Sequence, residues 1–161
     1  MQTPSLDEES QKLFINQVLR YVRNKGIKIT TKTDSYGNVY VTKGTAGLYP
    51  CVVSHVDTVH SYNPDLKILN CGDLVFGFDS TTGKQHGIGA DPKNGVYFAI
   101  EMLLRLDHVK VVFFQDEESG CLGSTSADMQ FFKDCSFVVQ LDRRSFTTDI
   151  IEHTNGVRLL S

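Results

Sequence analysis

The sequence predicts an α/β fold, a three-layer α/β/α sandwich around a mostly parallel, mixed central sheet. Two observations carry that prediction. Segments with apolar residues at helical spacing alternate with short, nearly continuous apolar runs, the pattern of strands buried on both faces. Three of those runs also lead directly into His, Asp or Glu, and in such sheets the loops beyond the carboxyl ends of the strands converge on one site.

Along the chain, Ser5 and Glu8 have capping-box spacing, and Leu6, Phe14, Val18, Tyr21 and Val22 follow at helical intervals until Gly26. An N-terminal amphipathic helix is expected there. Residues 27–33 and 38–43, around Ser35-Tyr36-Gly37, read as two strands joined by a turn. Pro50 precedes Cys51-Val52-Val53-Ser54, a run suited to a buried strand. Leu66 to Phe78 alternates around Asn70-Cys71-Gly72-Asp73 and predicts a hairpin reaching away from the core, followed by a loop over 79–89. Asp91 as N-cap and Pro92 at the first helical position open a second helix carrying Val96, Ile100, Leu103 and Leu104 or Leu106. Residues 109–114 form the most apolar strand. A third helix, from Ser124 or Thr125 to Phe132, then precedes a strand over 137–141.

The 161 residues, 40% hydrophobic and 22% charged, suit one compact domain with a real core. A net charge of -3 and the absence of any basic run beyond the pair Arg143-Arg144 exclude a nucleic-acid surface. Met1 to Glu9 lacks the features of a signal peptide, and no segment has the apolar length of a membrane span. A cytoplasmic protein with no membrane partner is expected. Cys51, Cys71, Cys121 and Cys135 form no CxxC pair, so neither a disulfide framework nor a thiolate zinc site is signalled.

Chemistry concentrates at the strand ends. His55-Val56-Asp57 sets an imidazole and a carboxylate two residues apart, where the acid can orient the ring. Asp116-Glu117-Glu118 places three acids at a glycine-containing turn, and Asp142 closes the last strand. A solvated turn accounts for three adjacent acids alone, and an N-cap accounts for Asp91 alone. As a set, His55, Asp91, Glu118 and Asp142 suit zinc, cobalt or manganese, and one bridging Asp would accommodate two ions roughly 3.5–4 Å apart. Glu117 would then be free to act as general base. His60, His86, His108 and His153 lack comparable neighbours and read as ordinary polar residues.

The blocks Ser54-His55-Val56-Asp57-Thr58-Val59, Gly89-Ala90-Asp91-Pro92-Lys93-Asn94-Gly95, Asp116-Glu117-Glu118-Ser119-Gly120 and Leu141-Asp142 resemble the ordered metal-site motifs of the co-catalytic dizinc exopeptidases, the family of peptidase T, carboxypeptidase G and succinyl-diaminopimelate desuccinylase. The resemblance implies a zinc-peptidase-like fold and hydrolysis of a peptide or N-acyl amino acid near a free terminus. It implies that His55 and Asp142 hold one zinc, that Glu118 holds the other, and that Asp91 bridges them. Asp57 would support His55, and Glu117 would activate water and later protonate the leaving amine. Pro92 stands where the family commonly has a second Asp.

The family also takes a final histidine ligand from a C-terminal segment, and many members insert a lid or dimerisation domain. Neither is located in this sequence. The expectation is therefore an N-terminal portion of a catalytic domain, weak or inactive alone, completed by residues beyond Ser161 or by a complementary chain. One alternative is a degenerate metal-binding or peptide-binding module without catalysis. Another is a hydrolase active as written, using His153 or water at the weaker metal position.

Overall fold

A computed structural model describes residues 1–142; His153 lies outside the described residues. The chain runs α1 (Glu8–Asn24), β1 (Ile29–Thr33), β2 (Val39–Lys43), β3 (Tyr49–His55), β4 (Leu66–Cys71), β5 (Leu74–Asp79), β6 (Gln85–His86), α2 (Ala90–Arg105), β7 (Val109–Phe114), α3 (Leu122–Thr125), a 3-10 turn (Met129–Phe132) and β8 (Cys135–Gln140). The main sheet has the order β1-β2-β7-β3-β8, and β4-β5-β6 form a separate antiparallel sheet. β7, β3 and β8 are parallel neighbours, whereas β1 and β2 join antiparallel. The expected α/β architecture with a mixed sheet is present, and its parallel part carries the strand ends of interest.

Alternation along the strands explains the layering. Val39, Val41, Val52, Val109, Val111 and Phe113 pack with Ile15, Val18, Leu19 and Val22 of α1 and with Val96, Ala99 and Leu103 of α2. Tyr40, Cys51, Val53 and Val112 face the other way, toward Phe131 and Phe132. Among the described residues that second face is covered by the 3-10 turn, through Phe131 and Phe132. At Gly95 of α2 an added Cβ would lie 2.7 Å from both Ser54 Oγ and the Leu141 carbonyl, so glycine lets the helix approach the ends of β3 and β8.

Five sequence expectations change. Ser5 and Glu8 form no capping box. Asp7 is the N-cap, accepting from the Ser10 N–H, while Ser5 Oγ donates to Asp57. The buried face of α1 is Gln11, Ile15, Val18, Leu19 and Val22, leaving Leu6 and Tyr21 exposed. Asp91 does not cap α2: Gly89 occupies that position in left-handed geometry, and Asp91 and Pro92 have non-helical angles. The single third helix is instead α3 and the 3-10 turn, separated where Asp128 accepts from the Gln130 N–H and pairs with Lys32. The 79–89 loop also contains β6, a two-residue strand paired with β5.

Asp34 organises the β1–β2 turn. Its Oδ1 accepts from the N–H groups of Tyr36, Gly37 and Asn38, and its Oδ2 accepts from Asn38 Nδ2 and Tyr40 Oη. Asn38 in turn donates to the Gly123 carbonyl and accepts from the Gln115 N–H, which ties this turn to the residue before the three acids. Burial pushes the Asp34 pKa up, but these donors outweigh it and hold it below its ordinary 3.8. A depressed folded-state pKa contributes stability above the unfolded value, lost as pH falls through the folded one. Asp34→Ala is expected to cost about 1–3 kcal/mol at neutral pH. In urea unfolding, that difference from the parent should shrink below about pH 4; a difference independent of pH would refute it.

Candidate metal centre

The parallel strands β3, β7 and β8 end on one edge of the sheet, bringing His55, Glu117, Glu118 and Asp142 together, and the start of α2 adds Asp91. Two groups could hold a cation: His55, Glu117 and Asp142, and His55, Asp91 and Glu118, with ligand atoms in each lying within 4.8 Å of one another. Among the described residues, His55 is the only imidazole in either group.

His55 is 2% exposed, and its Nδ1 lies 3.2 Å from Asp57 Oδ1. Asp57 is fully buried and accepts also from Ser5 Oγ at 2.5 Å and from the N–H groups of Glu117 and Glu118 at 3.0 and 3.1 Å. Burial would raise its pKa, yet these donors keep the carboxyl below the ordinary value, hence ionised. An ionised Asp57 fixes the His55 proton on Nδ1 and turns the Nε2 lone pair outward.

That outward nitrogen is buried and has no hydrogen-bond partner. It faces carboxylate oxygens: Asp91 Oδ1 at 3.2 Å, Asp142 Oδ1 at 3.8 Å and Glu117 Oε2 at 3.9 Å. Burial pushes the ring's pKa down, but Asp57, Asp142 and Glu117 outweigh it and raise it. Glu118 is also raised, by burial and then by the charge of Asp91. A buried ring nitrogen without a hydrogen-bond partner, aimed at converging acids, fits a divalent cation of the zinc class, which would take the place of a proton there.

Asp116, the first of the three acids, does different work. It is 6% exposed, adopts φ +51°, and accepts from the Leu6 N–H, Gln11 Nε2 and Tyr36 Oη, so it anchors the turn that presents Glu117 and Glu118. Sequence reasoning gave Ser5 a capping role, Tyr36 a place in a turn and Asp116 a place among the three acids, gave Gln11 none, and had no local signal for the contacts these residues make.

No family model matches the sequence, and neither does any curated protein. Solved structures match the fold. A tripeptidase from Staphylococcus aureus superposes with a TM-score of 0.70 at 18% identity, over 90% of this chain and 40% of that one. The aminopeptidase PepT from Bacillus cereus gives 0.69 at 19%, over 90% and 40%. The chain has the fold of these peptidases. Aminoacylhistidine dipeptidase from Vibrio alginolyticus shares the peptidase fold with a TM-score of 0.62 at 21% identity, over 89% of this chain and 30% of that one. The present chain thus spans less than half the length of each. The fold expected from the motif resemblance is the fold observed. Among the described residues no helix is long and apolar enough to cross a membrane.

Proposed function

We propose that this chain is the metal-holding portion of a hydrolase that cuts a peptide or amide bond near a free terminus. The observation that carries the reading is the buried His55 Nε2, oriented by Asp57, without a hydrogen-bond partner, and facing acids from three other segments. His55, Asp91, Glu118 and Asp142 would hold zinc, with cobalt or manganese as substitutes. When bound, the metal supplies the positive charge that polarises the scissile carbonyl and acidifies water.

Glu117 is the base in this reading. It sits one residue before Glu118 on the same turn, and its side chain is 26% exposed, within reach of substrate. Cys121 Sγ donates to Glu117 Oε1 at 3.5 Å, which leaves Oε2 turned toward His55. From there Glu117 can take a proton from the attacking water and return it to the departing amine. Asp57 holds the ring and the turn while that proton moves.

The chain spans 40% of the tripeptidase it superposes on, and among the described residues His55 is the only imidazole in either candidate group, where the motif resemblance implies a further histidine ligand. Turnover by the 161-residue chain alone is therefore expected to be weak. Zinc titration followed by short-peptide hydrolysis tests the reading. Glu117→Gln should lower the rate by at least about a hundredfold while zinc uptake stays intact. Absence of zinc uptake at millimolar metal would overturn the reading in favour of a degenerate module.

A further inference from the structure

The turn that carries Glu117 contains a residue whose backbone does not suit it. After Glu118 the chain reverses through Ser119-Gly120-Cys121, with φ +99° at Gly120 and +58° at Cys121. Glycine reaches left-handed angles at little cost, whereas a residue with a Cβ is crowded there. Gly120 follows that rule and Cys121 does not. Strain of this kind persists at sites where the side chain it places has a function.

The Cys121 side chain meets Glu117. Its Sγ donates to Glu117 Oε1 at 3.5 Å, and the N–H of the same cysteine donates to the Glu117 carbonyl at 2.7 Å. The Gly120 N–H reaches that carbonyl at 2.9 Å, and the Glu117 N–H donates to Asp57 at 3.0 Å. Both ends of the Glu117 backbone are therefore fixed. Among the described residues, the thiol is the one hydrogen-bond donor that reaches its carboxylate. With Oε1 engaged, Oε2 faces His55 Nε2 at 3.9 Å. That buried, unpartnered nitrogen marks, independently of the thiol, where the metal and its water belong. A thiol also suits the task chemically. As a weak donor it fixes the direction of a carboxylate while taking less from its basicity than a hydroxyl or an ammonium would.

We infer that Cys121 is a positioning residue that holds the Glu117 carboxylate with Oε2 toward the metal centre, an inference that rests on the reading of Glu117 as the base given above. The left-handed backbone makes glycine the diagnostic replacement, because Cys121→Gly removes the thiol and relaxes the turn together. A cysteine kept for the fold alone would lose nothing by that change.

The test uses the full 161-residue chain. In infrared spectra, the S–H stretching band of Cys121 is the difference between a chain and the same chain carrying Cys121→Gly, which cancels Cys51, Cys71 and Cys135. The band is expected at the low frequency of a thiol bonded to a charged acceptor, and it should rise in Glu117→Gln, where the acceptor is neutral. In urea unfolding, Cys121→Gly should be at least as stable as the parent. In short-peptide hydrolysis with zinc supplied, it should lower kcat about tenfold with KM and zinc uptake unchanged. Cys121→Ser, which keeps a donor, should recover part of that loss. A band that stays put in Glu117→Gln overturns the inference, as does a kcat for Cys121→Gly equal to the parent's or a loss that serine does not recover. A less stable Cys121→Gly overturns it too, by making the cysteine a fold residue. The band needs no turnover, so it decides the inference even where the parent hydrolyses too slowly to measure. The metal-centre reading fails separately, on absent zinc uptake by the parent chain.

Discussion

Replacing His55 with alanine is expected to lower zinc affinity by at least about a hundredfold. Removing a group that merely orients a metal-bound histidine costs roughly 10–100-fold, and losing the nitrogen itself should cost more. His55 belongs to both candidate groups, so the change should affect every zinc the chain holds. The ring is also buried beneath the strand end, and its loss leaves a hole. Affinity should therefore be measured by calorimetry below the unfolding temperature, with circular dichroism confirming the fold. His153→Ala is the control, since the residues around His153 do not repeat the His-x-Asp spacing. Comparable losses from both changes would sink the distinction.

What the sequence made legible depended on how local the cause was. β7 could be read because both of its faces are buried, so Val109 to Phe114 is apolar throughout except for Lys110, whose Nζ finds the Phe131 carbonyl and Asp134. His55, Glu117, Glu118 and Asp142 could be read for a topological reason: parallel strands end on the same side, and acids there stand out against apolar runs. The start of α1 was misplaced because Ser5 is taken by Asp57, a partner 52 residues away, leaving Asp7 to cap the helix. Asp91 was read with a capping role that its geometry does not serve.

The supporting residues escaped for the same reason. Asp116 is held by Leu6, Gln11 and Tyr36 across separations of 110, 105 and 80 residues, and no window along the chain contains both ends. β6 was read as loop because it is two residues long, too short for any periodicity to register.

Asp57→Ala is the second large effect, and it reaches stability and metal binding through the same atoms. Four donors from three parts of the chain converge on one fully buried carboxylate: the Ser5 hydroxyl, the His55 ring and the N–H groups of Glu117 and Glu118. Alanine leaves the ring and the two N–H groups without an acceptor and the Ser5 hydroxyl with the Thr58 carbonyl at 3.3 Å, and breaking a buried charge network of this kind costs about 3–5 kcal/mol. With the acceptor gone, the His55 proton is free to move to Nε2, where it would block the nitrogen offered to metal, and zinc affinity should fall by about 10–100-fold. Asp57→Asn separates the two consequences. The amide keeps the volume, but its NH₂ faces donors on one side, so part of the stability loss should remain. Its oxygen can still accept from the ring in one orientation, so zinc affinity should recover toward the parent value. If both variants lose stability while zinc binding to the folded protein stays at the parent level, Asp57 is a fold residue alone, and the orientation of His55 must come from the packing around its ring.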